Sequence, residues 1–230
     1  MLKRFLSVIL SLVLVASTSA FALNPAVLKA HKAAHQIRQD MFLIGGAGCS
    51  ATAIGPQALL TATHCELPTD VLEIRGVNAP VTIVDRIRDG QDHTIYLLRN
   101  VHFADYVDVS LSDPLEQGED VFVWGNPGSW SDQFRKGYIT GIVASDDDGP
   151  FGISTGPTAV LFDLVGYHGD SGAAVLNADG KIICVISTIN MQARKDDPVD
   201  SIRLMGGYTF LFSAKDLERA RAFSAPDTKE

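Results

Sequence analysis

The sequence predicts an all-β protein, built as a barrel or a sandwich. From Met41 onward, apolar runs of about four to eight residues follow one another, each bounded by Gly, Pro, Asn or Asp. The stretch VLNADGKII indicates a hairpin with Asp179 and Gly180 in its turn. Helical patterns do not separate these runs, which argues against βαβ units and a parallel sheet.

The first 22 residues predict a segment that is removed during export. Lys3 and Arg4 precede an apolar run, and small residues ending in Ala20-Phe21-Ala22 follow it. This order is typical of a secretory signal peptide with an A-x-A cleavage site, and the run is too short to remain as a membrane-spanning helix. We expect cleavage after Ala22, a secreted or periplasmic protein, and no stable membrane anchor.

Residues 24–40 are rich in helix formers and carry apolar side chains at roughly helical spacing. They predict one amphipathic helix, so residues 23–40 are assigned to an N-terminal helical segment. His31 and His35 would share a face of it, but there is no HExxH motif and no third ligand of the usual type nearby. A solvated face is therefore favoured over a metal site. At the other end, SAKDLERARAF predicts a short helix, and residues 216–230 are assigned to its end and a polar tail.

The composition allows one sizeable core or two small barrels, since 46% of the 230 residues are hydrophobic. Removal of Lys3 and Arg4 with the signal peptide takes the formal net charge from −8 to −10. An acidic chain without a basic run is repelled by phosphates, which argues against nucleic acid and anionic lipid as partners. We expect a monomer.

Cysteine usage fits an exported protein. Of Cys49, Cys65 and Cys184, one pair can oxidise outside the cytoplasm and one cysteine is left over. Cys184 lies in KIICVIST, which indicates a buried strand, so it is expected to behave as a small hydrophobe.

The stretch GYHGDSGAAV raises the question of whether Ser171 is a nucleophile or a turn residue. A serine hydroxyl is a weak nucleophile, so it needs a base, a group that orients the base, and donors for the developing oxyanion. Gly169 allows the backbone to turn so that the amides of Gly169 and Ser171 point at one oxygen. The tetrapeptide GDSG thus supplies the candidate nucleophile and the candidate oxyanion donors.

The base is indicated by GCSATAIGPQALLTATHC, residues 48–65, in which TATHC ends a predicted strand. This segment resembles the histidine segment of chymotrypsin-like serine proteases. The resemblance implies that His64 is the base and that a Cys49–Cys65 disulfide pins the loop that carries it. Such a loop is worth about 3 kcal/mol in the chain-entropy model.

Two aspartates compete to orient His64. Asp108, in DVSL, has the better local match, whereas the order of the predicted strands resembles the HtrA-like bacterial branch and favours Asp92. Asp108 also leaves only nine residues before Gly118, too few for the intervening strand and connection. Asp92 is therefore preferred, with Asp108, Asp85 and Asp89 as alternatives.

The resemblance covers residues 45–213 and implies two six-stranded antiparallel β-barrels over residues 41–215, with the active site in the cleft between them. It implies a trypsin-like serine endopeptidase that acts on protein or peptide through an acyl-enzyme, with His64 and Asp92 from the first barrel and Ser171 from the second. No metal or organic cofactor is called for. The PDZ module of HtrA relatives is not expected, because the C-terminal remainder is too short for it.

The resemblance to this protease family also implies which residues line the substrate pocket. The pocket floor would be Val165, which is not the acid that selects Arg or Lys in trypsin, and Ser187, Thr188 and Ile189 would line the wall. This predicts a neutral pocket for an apolar or small residue. His168 either contacts substrate or fills space, and both alternatives stay open.

In this family the residue at the position of Asp170 pairs with the new amino terminus of the activated enzyme, and the sequence does not provide that partner. The mature chain does not begin with the Ile-Val start that activates zymogens of this family. Asp170 must therefore have another partner.

Two other functions remain as alternatives. A pseudoprotease would bind peptides without cutting them, but His64 and Ser171 are intact. A secreted esterase could use the same residues, but the G-x-S-x-G elbow is missing, because only Asp170 separates Gly169 from Ser171.

Overall fold

A computed structural model of the chain describes residues 23–37, 48–66, 68–129, 133–144, 158–194 and 197–225. The predicted signal peptide lies outside the described residues. Two antiparallel sheets form the framework of the described chain, which confirms the predicted all-β, chymotrypsin-type fold class. Among the described residues, no helix is long and apolar enough to cross a membrane.

The first sheet has six strands in the order β1-β2-β3-β6-β5-β4. They are β1 Ala34–Ile37, β2 Cys49–Gly55, β3 Ala58–Ala62, β4 Val71–Leu72, β5 Val81–Arg88 and β6 His93–Arg99. Every residue of β2 and β3 is buried, and so are six of the seven residues of β6. These central strands therefore form the rigid base from which the connecting turns project.

The second sheet has seven strands in the order β11-β10-β7-β8-β9-β13-β12, one more than predicted. They are β7 Asp120–Gly125, β8 Gln133–Ala144, β9 Thr158–Phe162, β10 Ala174–Leu176, β11 Ile182–Val185, β12 Thr188–Arg194 and β13 Asp197–Tyr208. The predicted hairpin is β10–β11, with Gly180 at φ +76° in its turn. The extra strand comes from the ribbon that β12 and β13 form.

The prediction of one helix over residues 24–40 is wrong for residues 34–37, and its last three residues, 38–40, lie outside the described residues. The structure has a short helix, α1 (Pro25–Lys29), a 3-10 turn at Ala30–Ala33, and then β1. The chain becomes a strand because β1 pairs with β2, and these sheet hydrogen bonds outweigh helix propensity. His31 and His35 consequently share no helical face: their rings pack on those of Trp124 and Phe103, respectively.

The helix predicted near the end of the chain is present, whereas residues 226–230 of the predicted polar tail lie outside the described residues. Helix α2 (Ala214–Ala222) begins with a capping box, in which Ser213 and Asp216 satisfy each other's backbone amides. It packs against β2 so closely that a Cβ on Gly55 would lie 2.7 Å from the carbonyl oxygen of Ala220.

Two of the apolar runs, residues 106–112 and 207–213, form less strand than their pattern indicates. YVDVSLS forms only an isolated bridge between Val109 and Ile182, and GYTFLFS belongs to β13 only as far as Tyr208. The connection from β6 to β7 is therefore irregular.

Candidate active site

His64 lies in a single 3-10 turn, Thr63–Cys65, that follows β3. A disulfide joins Cys65 to Cys49 at the start of β2, with the two Cα atoms 6.2 Å apart. The Thr63 amide also donates to the carbonyl oxygen of Asp92 at 3.1 Å. The disulfide pairing is the one that the resemblance implied, and it holds the turn against the first sheet.

The His64 ring contacts Asp92, which ends the loop before β6. Nδ1 of His64 is 2.7 Å from Oδ2 of Asp92, and the His64 amide donates to Oδ1 at 2.9 Å. The carboxylate thus fixes both the backbone and the ring of His64. In a neutral imidazole this arrangement places the proton on Nδ1 and leaves the lone pair on Nε2.

The Ser187 side chain, which follows β11, lies close enough to the Asp92 carboxylate to help lower its pKa, and its Oγ is 3.5 Å from the carbonyl oxygen of Val185. Burial by itself would raise the pKa of Asp92, but hydrogen bonds from His64, the nearby Ser187 side chain and the neighbouring imidazole bring it below its usual value. Asp92 is therefore held as a carboxylate. The sequence singles out Ser187 for the pocket wall and gives no signal of its place beside Asp92.

The rival aspartates are paired elsewhere. Asp108 forms an ion pair with Arg221 of α2, and Asp85 forms one with Arg219 of the same helix. Asp89 is fully buried against His93, with 2.6 Å between Oδ2 and Nδ1. Of the four candidate acids, the structure brings Asp92 to His64.

Ser171 lies half-buried in the turn before β10. Its carbonyl oxygen accepts from the Ser50 amide at 2.8 Å and is 3.7 Å from Sγ of Cys65. A Cβ on Gly172 would lie 2.3 Å from Oγ1 of Thr61, at the end of β3. The turn of the second sheet that carries Ser171 is therefore packed against the strands that lead to His64.

The amides of Gly169 and Ser171 remain available in this turn. Gly169 has φ +105°, a conformation that favours glycine. Among the backbone hydrogen bonds of the described residues, neither amide donates, whereas the Gly172 amide donates to Ile186 and the Ala173 amide to Asp170. Two neighbouring unused donors beside a serine are what an oxyanion site requires.

Asp170 is fully buried and forms a bidentate ion pair with Arg135 on β8. Oδ2 also accepts from the Tyr167 amide at 3.0 Å. The sequence indicated that Asp170 needs a partner but gave no signal for Arg135, which lies 35 positions earlier.

A profile of the trypsin-like peptidase domain matches residues 49–185, more than half of the chain. The chain belongs to the trypsin-like peptidase family. None of the curated proteins matches it.

Solved structures show the same fold for this trypsin-like peptidase. Rv3671c from M. tuberculosis H37Rv, an inactive-form crystal structure of a serine-to-alanine mutant, has a TM-score of 0.60 and 17% identity, covering 81% of this chain and 85% of that one. The HtrA-type protease AlgW, solved with a tripeptide, has a TM-score of 0.58 and 19% identity, covering 78% of this chain and 57% of that one.

The residues predicted for the substrate side of this trypsin-like peptidase lie in three places. The Val165 and His168 side chains are exposed beside the Ser171 turn, with Val165 at 66% of its maximal exposure. Ser187 lies half-buried at Asp92. Thr188 and Ile189 begin β12, where they pair with Gly206 and Met205 of β13.

No group of His, Cys, Asp and Glu side chains within the described ranges has the arrangement of a metal site. Cys184 is fully buried on β11, and burial raises the pKa of its thiol. It therefore packs as a small apolar side chain.

Proposed function

We propose that the protein is an exported serine endopeptidase that cleaves peptide bonds through His64, Asp92 and Ser171. The observation that carries the proposal is the bond between Nδ1 of His64 and Oδ2 of Asp92, made by a histidine whose turn packs beside that of Ser171. A histidine oriented in this way is a competent base for a neighbouring hydroxyl.

In the proposed reaction, Nε2 of His64 takes the proton of the Ser171 hydroxyl as Oγ attacks a peptide carbonyl. Asp92 stabilises the imidazolium that forms, and its lowered pKa keeps it ionised for this purpose. The imidazolium then gives its proton to the leaving amine, which departs and leaves an acyl-enzyme. Water, deprotonated by His64, then attacks the acyl carbonyl. The bond from the carbonyl carbon to Oγ breaks, and the imidazolium returns its proton to Oγ, which releases the acid product and restores the serine.

The amides of Gly169 and Ser171 are proposed to bind the oxyanion of each tetrahedral intermediate. This role is supported by the hydrogen bonds of the turn, because neither amide has a backbone acceptor among the described residues. The contribution of one such donor is about 10²–10³ in kcat in serine proteases.

For the substrate, we propose a protein or peptide with an apolar or small residue at the cleaved bond. The support is Val165, the residue six positions before Ser171, where the resemblance implies the pocket floor, because it is apolar and not the acid that would select Arg or Lys. His168, exposed beside it, is a proposed contact, and Ser187, Thr188 and Ile189 are proposed to line the wall. Export through the predicted signal peptide agrees with the Cys49–Cys65 disulfide, since such bonds persist in oxidising compartments.

A fluorophosphonate probe tests the activated serine. The mature protein is treated with the probe and its intact mass is measured, beside the variants Ser171→Ala and His64→Ala. One adduct on the wild type, absent from both variants, is expected. Folded wild-type protein that takes up no probe would favour a peptide-binding pseudoprotease.

The esterase alternative is tested on the same preparations. Hydrolysis of simple esters without cleavage of any peptide in a diverse mixture would favour the esterase and contradict the endopeptidase.

A further inference from the structure

We propose that Ser50, on β2 of the first sheet, is a positioning residue that holds the amides of Gly169 and Ser171 in place for the oxyanion. This inference rests on the proposed function, because it assigns those two amides a role in the reaction. It concerns a residue outside the His64-Asp92-Ser171 group.

Ser50 contacts the turn through two of its atoms. Its amide donates to the carbonyl oxygen of Ser171 at 2.8 Å, and its hydroxyl donates to the carbonyl oxygen of Gly169, also at 2.8 Å. Ser50 is only 1% exposed, so water does not compete well for these bonds. One residue of the first sheet therefore holds both proposed oxyanion-binding residues of the second.

The direction of the Ser50 hydroxyl hydrogen follows from its other partners. A serine hydroxyl has one hydrogen and two lone pairs. The backbone amide and the side-chain amide of Asn126 both donate to Oγ, at 3.1 and 2.9 Å. With both lone pairs occupied, the single hydrogen is directed to the Gly169 carbonyl.

The turn after Asn126 fixes the neighbouring peptide group. The Gly128 amide donates to the carbonyl oxygen of His168 at 2.7 Å. Because a trans peptide is planar, fixing the His168 carbonyl also fixes the direction of the Gly169 N–H, which points the opposite way. A Cβ on Gly169 would lie 2.3 Å from the Asn126 carbonyl oxygen, so the contact tolerates no side chain.

The same strand also holds the proposed base. Ser50 follows Cys49, which is bonded through its disulfide to Cys65, the neighbour of His64. A short stretch of β2 thus positions the proposed base and the proposed oxyanion donors relative to each other.

Without the Ser50 hydroxyl, the buried Gly169 carbonyl would lose its donor. The Gly169–Asp170 peptide links the peptide that carries the Gly169 N–H to the peptide that carries the Ser171 N–H, so its rotation would turn both donors away from the oxyanion position.

The test is the second-order rate of fluorophosphonate inactivation for the mature wild type, Ser50→Ala and Thr52→Val. Thr52 is the matched control, since it is a second buried hydroxyl on the same face of β2. We expect Ser50→Ala to lower the rate roughly tenfold, the equivalent of one hydrogen bond, and Thr52→Val to leave it unchanged.

A readout that does not need activity separates this inference from the proposed function. In a Ser171→Ala background, adding Ser50→Ala is expected to broaden or shift the amide resonance of Gly169 in NMR spectra, whereas adding Thr52→Val is not. A wild type that reacts with the probe, beside a folded Ser50→Ala protein with the wild-type rate and an unchanged Gly169 resonance, overturns the inference and leaves the proposed function intact. An unreactive wild type whose Gly169 resonance responds to Ser50 overturns the proposed function and the catalytic part of the inference.

If Ser50→Ala does not fold, Asn126→Ala replaces it. This change removes the side-chain donor that orients the Ser50 hydroxyl, so the inactivation rate should fall by about threefold. A wild-type rate would contradict the role assigned to Ser50.

Discussion

The Asp170 carboxylate accepts two hydrogen bonds from the Arg135 guanidinium, from Nη1 to Oδ2 at 2.6 Å and from Nη2 to Oδ1 at 2.5 Å. Asp170 is completely buried and lies between Gly169 and Ser171, so an internal arginine neutralises the charge at the centre of the proposed oxyanion turn. A Cβ on Gly125 would lie 2.6 Å from both partners, which explains the glycine that ends β7. The turn therefore has a partner for its buried acid within the chain itself.

Replacing Arg135 should destabilise the protein strongly. Arg135→Met leaves a buried carboxylate without its counter-ion, a loss of about 3–5 kcal/mol in the free energy of unfolding. Urea unfolding of the two proteins measures it. The control is Lys136→Met, since the neighbouring pair of Lys136 and Asp120 is half-exposed and is worth about 0–1 kcal/mol. Equal effects of the two substitutions would contradict this account.

Asp92→Asn should abolish most of the activity without unfolding the protein. An amide in this place favours the wrong tautomer of His64 and does not stabilise an imidazolium, and the corresponding change costs about 10⁴ in kcat in a related protease. The rate of peptide cleavage is the measurement. Asp108→Asn serves as the control, because Asp108 is paired with Arg221 on the surface, and it should retain the wild-type rate.

Loss of the disulfide should weaken both stability and activity. The double variant Cys49→Ala/Cys65→Ala opens a loop with a sequence separation of 16, which lowers the free energy of unfolding by about 3 kcal/mol. The turn of His64 also loses its attachment to β2. Thermal unfolding measures the loss of stability, and the rate of probe labelling measures the loss of activity. A double variant as stable as the wild type would contradict the prediction.

The buried pair of Asp89 and His93 should make stability fall in acid. Burial alone would raise the pKa of Asp89, but hydrogen bonds from His93, Leu211 and Gln91 hold it below its usual value of 3.8. A carboxyl whose pKa is lowered by folding stabilises the protein above the usual value, and this contribution disappears as the pH falls through the lowered pKa.

The measurement is the free energy of unfolding of the wild type and of Asp89→Asn over the range from about pH 6 to about pH 3. The variant should be less stable at the upper end and should lose less stability towards the lower end. Parallel curves for the two proteins would show that Asp89 does not contribute in this way.

The sequence was sufficient for those features that depend on local pattern. Short apolar runs gave most strands and the β10–β11 hairpin, and the capping residues of α2 marked its start. Residues 34–37 were misassigned because the neighbour that makes them a strand is β2, which is distant in sequence. Local propensity contains no information about that pairing.

In the candidate site, too, the residues in continuous motifs are predictable from the sequence, whereas the residues that contact them from distant strands are not. GDSG and TATHC are continuous stretches, so Ser171 and His64 could be singled out directly. Arg135 and Ser50 hydrogen-bond to Asp170 and Gly169 across 35 and 119 positions, and no motif in the sequence marks either residue. Only the folded chain shows that their side chains meet the Ser171 turn.

Ser171, activated by His64 and Asp92, is proposed to cleave peptide bonds. The most direct test incubates the mature wild type and Ser171→Ala with a diverse peptide mixture and identifies new termini by mass spectrometry. New termini after apolar or small residues are expected with the wild type and none with the variant. A folded wild type that generates no more termini than Ser171→Ala would contradict this proposal.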